Sequence, residues 1–263
     1  MISTDRLREI KLSFDYRAPR NQDFYPPRAV LLSPSFDPLS LALHDLSLAE
    51  NLTTLTLNGE NAISEMLFWP QRPIKRPVWP QLLDLDINFN MTTTEGEWYF
   101  VSGDSEDAQA ESIEESPTSD RSGATDASSS ESDLNDDSDF PDDYNEAREQ
   151  RIVGDRPSSI FRTKADATKV NPLFAAAAHA AANMPRLQRM TLETQVRAIN
   201  PFMFQFDFFA PGQETRFGHG SQDVGWPRLL WTVGPSGYVP EESTIEIWRQ
   251  AKGKNGEIVS RVL

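Results

Sequence analysis

The chain has 263 residues, with 40 acidic against 25 basic side chains and a formal net charge of −15. It contains no cysteine, which excludes disulfides, thiolate zinc sites and cysteine nucleophiles, and it is long enough to bury a sizeable core. The acidity is local: residues 103–150 hold 17 acidic and 2 basic side chains, leaving 23 of each elsewhere, so the remainder offers neither a basic footprint for nucleic acid nor a basic amphipathic helix for a membrane.

One phrase, L-x-x-L-x-L, recurs along the chain. It reads LREIKLSF at Leu7 to Phe14, LTTLTLN at Leu52 to Asn58, LLDLDINF at Leu82 to Phe89 and, with one residue type altered, LQRMTLE at Leu187 to Glu193. Alternation after the second apolar residue is a strand signature, and its return predicts strands stacked side by side in one sheet. The N-terminus, MISTDRLREIKLSF, has no signal-peptide apolar core, and the longest small-apolar run, Leu173 to Ala182, is too short for a bilayer span. An intracellular location, cytoplasm or nucleus, is therefore expected.

After the first strand, a proline-broken loop runs through Pro19, Pro26, Pro27 and Pro34. Asp37 offers an N-cap oxygen and Pro38 a preset first turn for a helix over 38–50, with Leu39, Leu43, Leu46 and Ala49 on one face. That helix feeds straight into the second strand, the order a parallel crossover requires. An apolar segment, Ala62 to Trp69, and a proline-rich turn lead to the third strand at Leu82. After a turn at Glu95-Gly96, EWYFV at Glu97 to Val101 reads as one more strand or strand end, its aromatics packing in a core or at a sheet edge.

From Gly103 to about Gln150 the composition turns to Ser, Asp and Glu, which buries too little apolar surface to offset ordering entropy and predicts disorder. The insert interrupts a domain, because the phrase resumes beyond it. Asn171 and Pro172 suit a helix start, Leu173, Ala177, Ala181 and Met184 make its face, and Pro185 stops it before the fourth phrase. Phe202, Phe204, Phe206 and Phe208 alternate with Met203, Gln205, Asp207 and Phe209 to predict a strand, as do Leu229, Trp231 and Val233. A last helix is expected from Pro240 to Gly253, facing inward through Ile245, Trp248 and Ala251; the tail from Glu257 carries no signal.

The expected fold is α/β: one discontinuous domain, 1–102 with 151–263, holding a leucine-rich-repeat-like curved, mostly parallel sheet with helices on its outer face. The second architecture the pattern allows is a compact α/β sandwich with the phenylalanine-rich strand central. Trp79-Pro80 before Leu82 to Phe89, Gly96 to Phe100, Asn171-Pro172-Leu173, Met184 to Leu187, Ala210-Pro211-Gly212 and Trp226-Pro227-Arg228-Leu229 together resemble a filamentous-fungal domain of unknown function usually found behind an F-box. The similarity covers about residues 50–250 apart from the insert. It implies kinship with leucine-rich-repeat F-box receptors, which choose targets for ubiquitin ligation, and it brings no catalytic residues. An F-box would lie upstream of the repeats, and here the first phrase begins within a few residues of Met1; either this is a member that lost the F-box or the chain is part of a longer one, and in both cases binding of a cullin-ligase adaptor does not follow from the resemblance.

Catalytic signatures are weak. His44 and His179 read as helix residues, and Gly218-His219-Gly220-Ser221 is a surface loop with neither a G-x-S-x-G elbow nor a P-loop lysine. Asp84 and Asp86, two apart on one strand, share a face, but a metal or acid/base site wants further ligands. If the phrases stack in register, that face also carries Glu9, Lys11, Ser13, Thr54, Thr56, Asn58, Asn88, Arg189, Thr191 and Glu193. Such a row is either a partner-binding surface or an ordinary solvated face on which Arg189 pairs a neighbouring aspartate. In the insert, Ser112, Ser128 and Ser130 each precede an acidic residue by three positions, a pattern suited to acidophilic kinases; a solubilising spacer is the plainer reading. The functional expectation is a non-catalytic protein-binding module with an unidentified protein partner and no cofactor, metal, nucleic acid or membrane. The alternatives are a binder of basic proteins acting through the acidic insert and, less favoured, an enzyme.

Overall fold

The structure is a computed structural model describing residues 7–14, 19–25, 37–70, 78–103, 160–214 and 224–263. The acidic insert with Ser112, Ser128 and Ser130, and the loop carrying His219, lie outside the described residues.

The recurring phrase becomes β1 (Glu9–Ser13), β2 (Thr54–Asn61), β3 (Asp84–Phe89) and β6 (Arg189–Val196). They lie side by side in that order, all parallel. Glu9, Thr54, Asp84 and Arg189 align across the sheet, and so do Lys11, Thr56, Asp86 and Thr191. The match is enforced at the strand starts. The amides of Thr53 and Thr54 both donate to the Arg8 carbonyl (2.7 and 3.1 Å), those of Leu83 and Asp84 to Thr53 (2.8 and 3.1 Å), and those of Gln188 and Arg189 to Leu83 (2.8 and 3.1 Å). Each leading leucine, Leu52, Leu82 and Leu187, is buried just before its strand begins. A one-residue slip would turn every inward side chain outward, so the apolar positions fix this register.

The sheet continues with β7 (Phe202–Phe209) and β8 (Arg228–Thr232), both antiparallel to their predecessors, and β9 (Val259–Val262), parallel to β8. It is thus a mixed α/β fold with a seven-stranded, mostly parallel sheet. β4 (Phe100–Ser102) and β5 (Arg162–Ala165) form a separate antiparallel pair. The aromatic run at Glu97 to Val101 is therefore a strand only at its end, and not in the main sheet. Two strands have no sequence signal, β5 (RTKA) and β9 (VSRV): both are short, and neither alternates cleanly between buried and exposed residues.

Among the described residues three helices, α1 (Pro38–Ser47), α2 (Ala167–Ala181) and α3 (Glu242–Lys252), pack on one face of the sheet. Small residues let α2 lie close: Ala177, Ala178, Ala180 and Ala181 are all buried. From α2, Phe174 meets Trp231 and Phe206 with ring centroids 4.9 and 5.2 Å apart, and from α3 Trp248 meets Phe206 at 5.0 Å and stacks on Phe208 at 5.5 Å. The phenylalanine-rich strand supplies the aromatic centre of the core.

Helix details depart from expectation in three ways. Asp37 does cap α1, but the buried positions are Ser40, Leu43, His44 and Ser47, while Leu39 is exposed. The polar ones are hydrogen-bonded: His44 Nδ1 lies 2.9 Å from the Leu67 carbonyl, Trp79 Nε1 donates to Ser47 Oγ (2.6 Å), and the Ser64 amide donates to Ser40 Oγ (3.1 Å). α2 begins at Ala167, not at Pro172. Asp166 caps the Thr168 amide at 3.0 Å, Pro172 sits inside the helix, and Asn171 instead accepts from the Tyr238 hydroxyl at 2.5 Å. The earlier start gives the helix its Asp166 cap and buries Val170, while Pro172, in the second turn, leaves one backbone bond unmade. In α3 it is Thr244 and Trp248 that are buried, with Ile245 and Ala251 only partly so.

Among the described residues no helix is long and apolar enough to cross a membrane.

Candidate functional site

The helix-free face of the sheet gathers the polar residues expected there. On β1, Lys11 and Glu9 pair at 2.6 Å, both well exposed. On β3 and β6, Arg189 Nη2 lies 3.4 Å from Asp84 Oδ1, each side chain about one-third exposed (32% and 34%). Thr56, Asp86, Asn88 and Glu193 are half-buried, and Asn58 is exposed. Thr54 lies in the same row as Asp84. Thus the pairing of Arg189 with a neighbouring aspartate and the aligned row occur together.

Two positions do not join the row as expected. Thr191 is buried and donates to Asp207 Oδ1 on β7 (2.7 Å), whose Oδ2 accepts from Gln205 Nε2 (2.7 Å). It is therefore part of an internal polar cluster. Asn58 faces Ser13, but the β2–β3 register shifts after Leu57, so it does not stand opposite Asn88. The shift is a bulge around Gly59, whose φ of +86° and close approach to the Phe14 carbonyl leave no room for a Cβ. Glu193, not Asn58, is the partner of Asn88, with Gln205 beyond it.

A second site lies in the helix layer. The short 3-10 turn Glu65–Leu67, the middle of α2 and the Thr94–Gly96 turn enclose a cleft of about 500 Å³. Its apolar wall is formed by Trp69, Met66, Ala175 and Ala176, and its polar groups are Glu65, Glu95, Asp37 and His179. The Trp69 and His179 rings lie 5.6 Å apart at 38°. Local hydrogen bonds set this shape: Ser64 caps the Met66 amide at 3.3 Å, and Ser64 Oγ donates to Asp37 Oδ2 at 2.7 Å. The Thr93 hydroxyl accepts from the Glu95 amide at 3.2 Å. Below, the Tyr99 hydroxyl donates to the Ile63 carbonyl at 3.2 Å. Its pKa is pushed far up, first by burial and then by the negative charges of Glu65, Glu95 and Asp37, which all converge on this neighbourhood.

No sequence pattern marks this cleft, because its walls come from well-separated segments. His179 sits among alanines, and Trp69 closes the apolar segment Ala62 to Trp69, which carries no ligand signature. His44, by contrast, is a satisfied core residue whose pKa is lowered, mainly by burial. Among the described residues no group of three or more histidine or acidic side chains is placed to hold a metal ion. Neither a known protein family, nor a characterised protein, nor a solved structure matches the chain.

Proposed function

We propose that the protein is a non-catalytic protein-interaction module that contacts its partner through the helix-free face of β1, β2 and β3 and the Arg189 and Glu193 positions of β6. One observation carries the reading: four parallel strands in register set Lys11, Thr56 and Asp86 in one line and Thr54, Asp84 and Arg189 in the next, on a face that no described helix covers. An array of mixed charges and hydroxyls at strand spacing is suited to reading a complementary protein surface. A leucine-rich-repeat-like curvature of the sheet and descent from F-box-related substrate receptors for ubiquitin ligation belong to this proposal, supported by the recurring phrase and the motif order.

The test is affinity capture from fungal lysate with quantitative mass spectrometry, comparing the wild-type chain with an Asp84→Lys, Arg189→Glu double variant whose thermal unfolding matches wild type. Specific interactors are expected to be lost from the variant; retention of all of them overturns the assignment of this face. Recovery of a cullin-ligase adaptor would tie the module to ubiquitin ligation. The density of negative charge at 103–150 favours a second reading, in which that insert captures basic proteins. A chain lacking 103–150 then loses its basic interactors, and the contacts of the full chain dissolve in high salt.

A further inference from the structure

The cleft in the helix layer is independent of the sheet face, and its chemistry is one-sided. Three carboxylates, Asp37, Glu65 and Glu95, reach it, and no lysine or arginine is among its described lining residues. One wall is the indole of Trp69 beside the thioether of Met66, and the volume of about 500 Å³ falls within the range of sites that enclose a small ligand or an amino-acid side chain. Apolar and aromatic walls together with acidic groups match an extended cation whose stem is apolar and whose head is positive.

We infer that this cleft takes an arginine side chain of a partner polypeptide, its guanidinium against the Trp69 ring and within reach of Glu65 and Glu95. Charge complementarity selects a cation. The aromatic wall selects a planar, weakly hydrated one, because a guanidinium stacks on indole and accommodates two carboxylate contacts, whereas an ammonium is a compact and strongly hydrated point charge. Asp37 is 3% exposed and already accepts from Ser40 and Ser64, so it supplies field to the cleft, not direct contact. Glu65 is exposed and Glu95 half-buried, so both are placed to meet the incoming head group.

The experiment is a nitrogen-15 correlation NMR titration of the full chain with N-acetyl-arginine methylamide, its lysine counterpart and its citrulline counterpart, which keeps the shape and loses the charge. Arginine is expected to shift the Trp69 indole N–H and the backbone amides of Ala175 and His179, lysine to do so more weakly, and citrulline not at all. Glu65→Gln with Glu95→Gln, neither of which caps a helix or fills the core, should weaken the arginine response by about tenfold or more, as expected for losing two charge-assisted contacts, while resonances elsewhere stay in place. Trp69→Leu should bring arginine down to the level of lysine. Equal shifts with citrulline, an undiminished response in the double glutamine variant, or no shift at Trp69 at millimolar arginine analogue would each overturn the inference.

Discussion

Asp37 ties together the parts that build the cleft, and its removal has a calculable cost. Its Oδ1 accepts from the Ser40 amide at 3.0 Å and caps α1, while its Oδ2 accepts from Ser64 Oγ at 2.7 Å and anchors the 3-10 turn that bears Glu65 and Met66. Losing a capping oxygen costs about 1 kcal/mol. Orphaning the hydroxyl of Ser64, which is only 6% exposed, adds about 1–3 kcal/mol for a bond to a charged acceptor. Burying a carboxylate also has a desolvation cost that the substitution relieves, which brings Asp37→Ala to a net destabilisation of about 2–3 kcal/mol. Asp37→Asn keeps a good cap and should cost about 1 kcal/mol. Urea unfolding followed by tryptophan fluorescence measures both. A double-mutant cycle with Ser64→Ala isolates the Asp37–Ser64 bond, for which a coupling of about 1–2 kcal/mol is expected. If Asp37→Ala falls within about 0.5 kcal/mol of wild type, or its cost simply adds to that of Ser64→Ala, the network does not hold the turn to the helix.

Two further perturbations probe the core and the C-terminal helix. Phe174 is fully buried among Phe206, Trp231, Phe204 and Tyr238, so Phe174→Ala should cost about 3–5 kcal/mol in chemical denaturation, and a loss below about 1.5 kcal/mol would contradict the aromatic centre described above. Lys252 donates to the Met184 carbonyl, and burial lowers its pKa from 10.5 to about 8. Between those values the unfolded chain binds more protons than the folded one, so stability should rise as pH climbs from about 8 toward 10.5, by at most about 3 kcal/mol. Lys252→Met should flatten that rise in thermal scans taken across the window, and an unchanged slope would rule out the buried amine as its source.

Strand identity and register were legible because each phrase combines a leading leucine, buried at Leu52, Leu82 and Leu187, with alternation, and the side-chain period of two leaves one register compatible with a single apolar face. The Asp84–Arg189 pair followed from that register alone. What stayed hidden depended on tertiary context. The start of α2 turned on Asp166 and Val170 prevailing over the local Asn171-Pro172 signal, and the buried side of α1 was set by partners for Ser40, His44 and Ser47 that lie far along the chain. The cleft was invisible for the same reason: Glu65, Glu95 and His179 are ordinary surface residues until the 3-10 turn, the Glu95 turn and α2 are brought together. β9 pairs only through its neighbour β8, without an alternation of its own to announce it.

The helix-free face is not uniform: its exposure falls from β1 toward β8. On β1, Glu9, Lys11 and Ser13 are exposed; on β7, Gln205 and Asp207 are buried; on β8, Arg228 and Leu230 are buried as well, with the Arg228 guanidinium 5.5 Å from the Phe209 ring and donating to the Gln213 carbonyl. Phe209 and Leu230 stand apart from the main apolar cluster, so their burial belongs to this second side of the sheet. The accessible surface therefore ends at Arg189 and Glu193, and Thr191 belongs to the sealed part. Within those bounds the charges are of both signs and largely paired in place, which gives little net attraction at a distance and makes recognition a matter of matching pattern at contact. The cleft in the helix layer is the opposite case, with like charges converging beside an aromatic wall, where a single cation supplies what the protein lacks. As proposed binding sites, the two surfaces differ in what they would discriminate: the sheet face one protein surface from another, and the cleft one side chain from another.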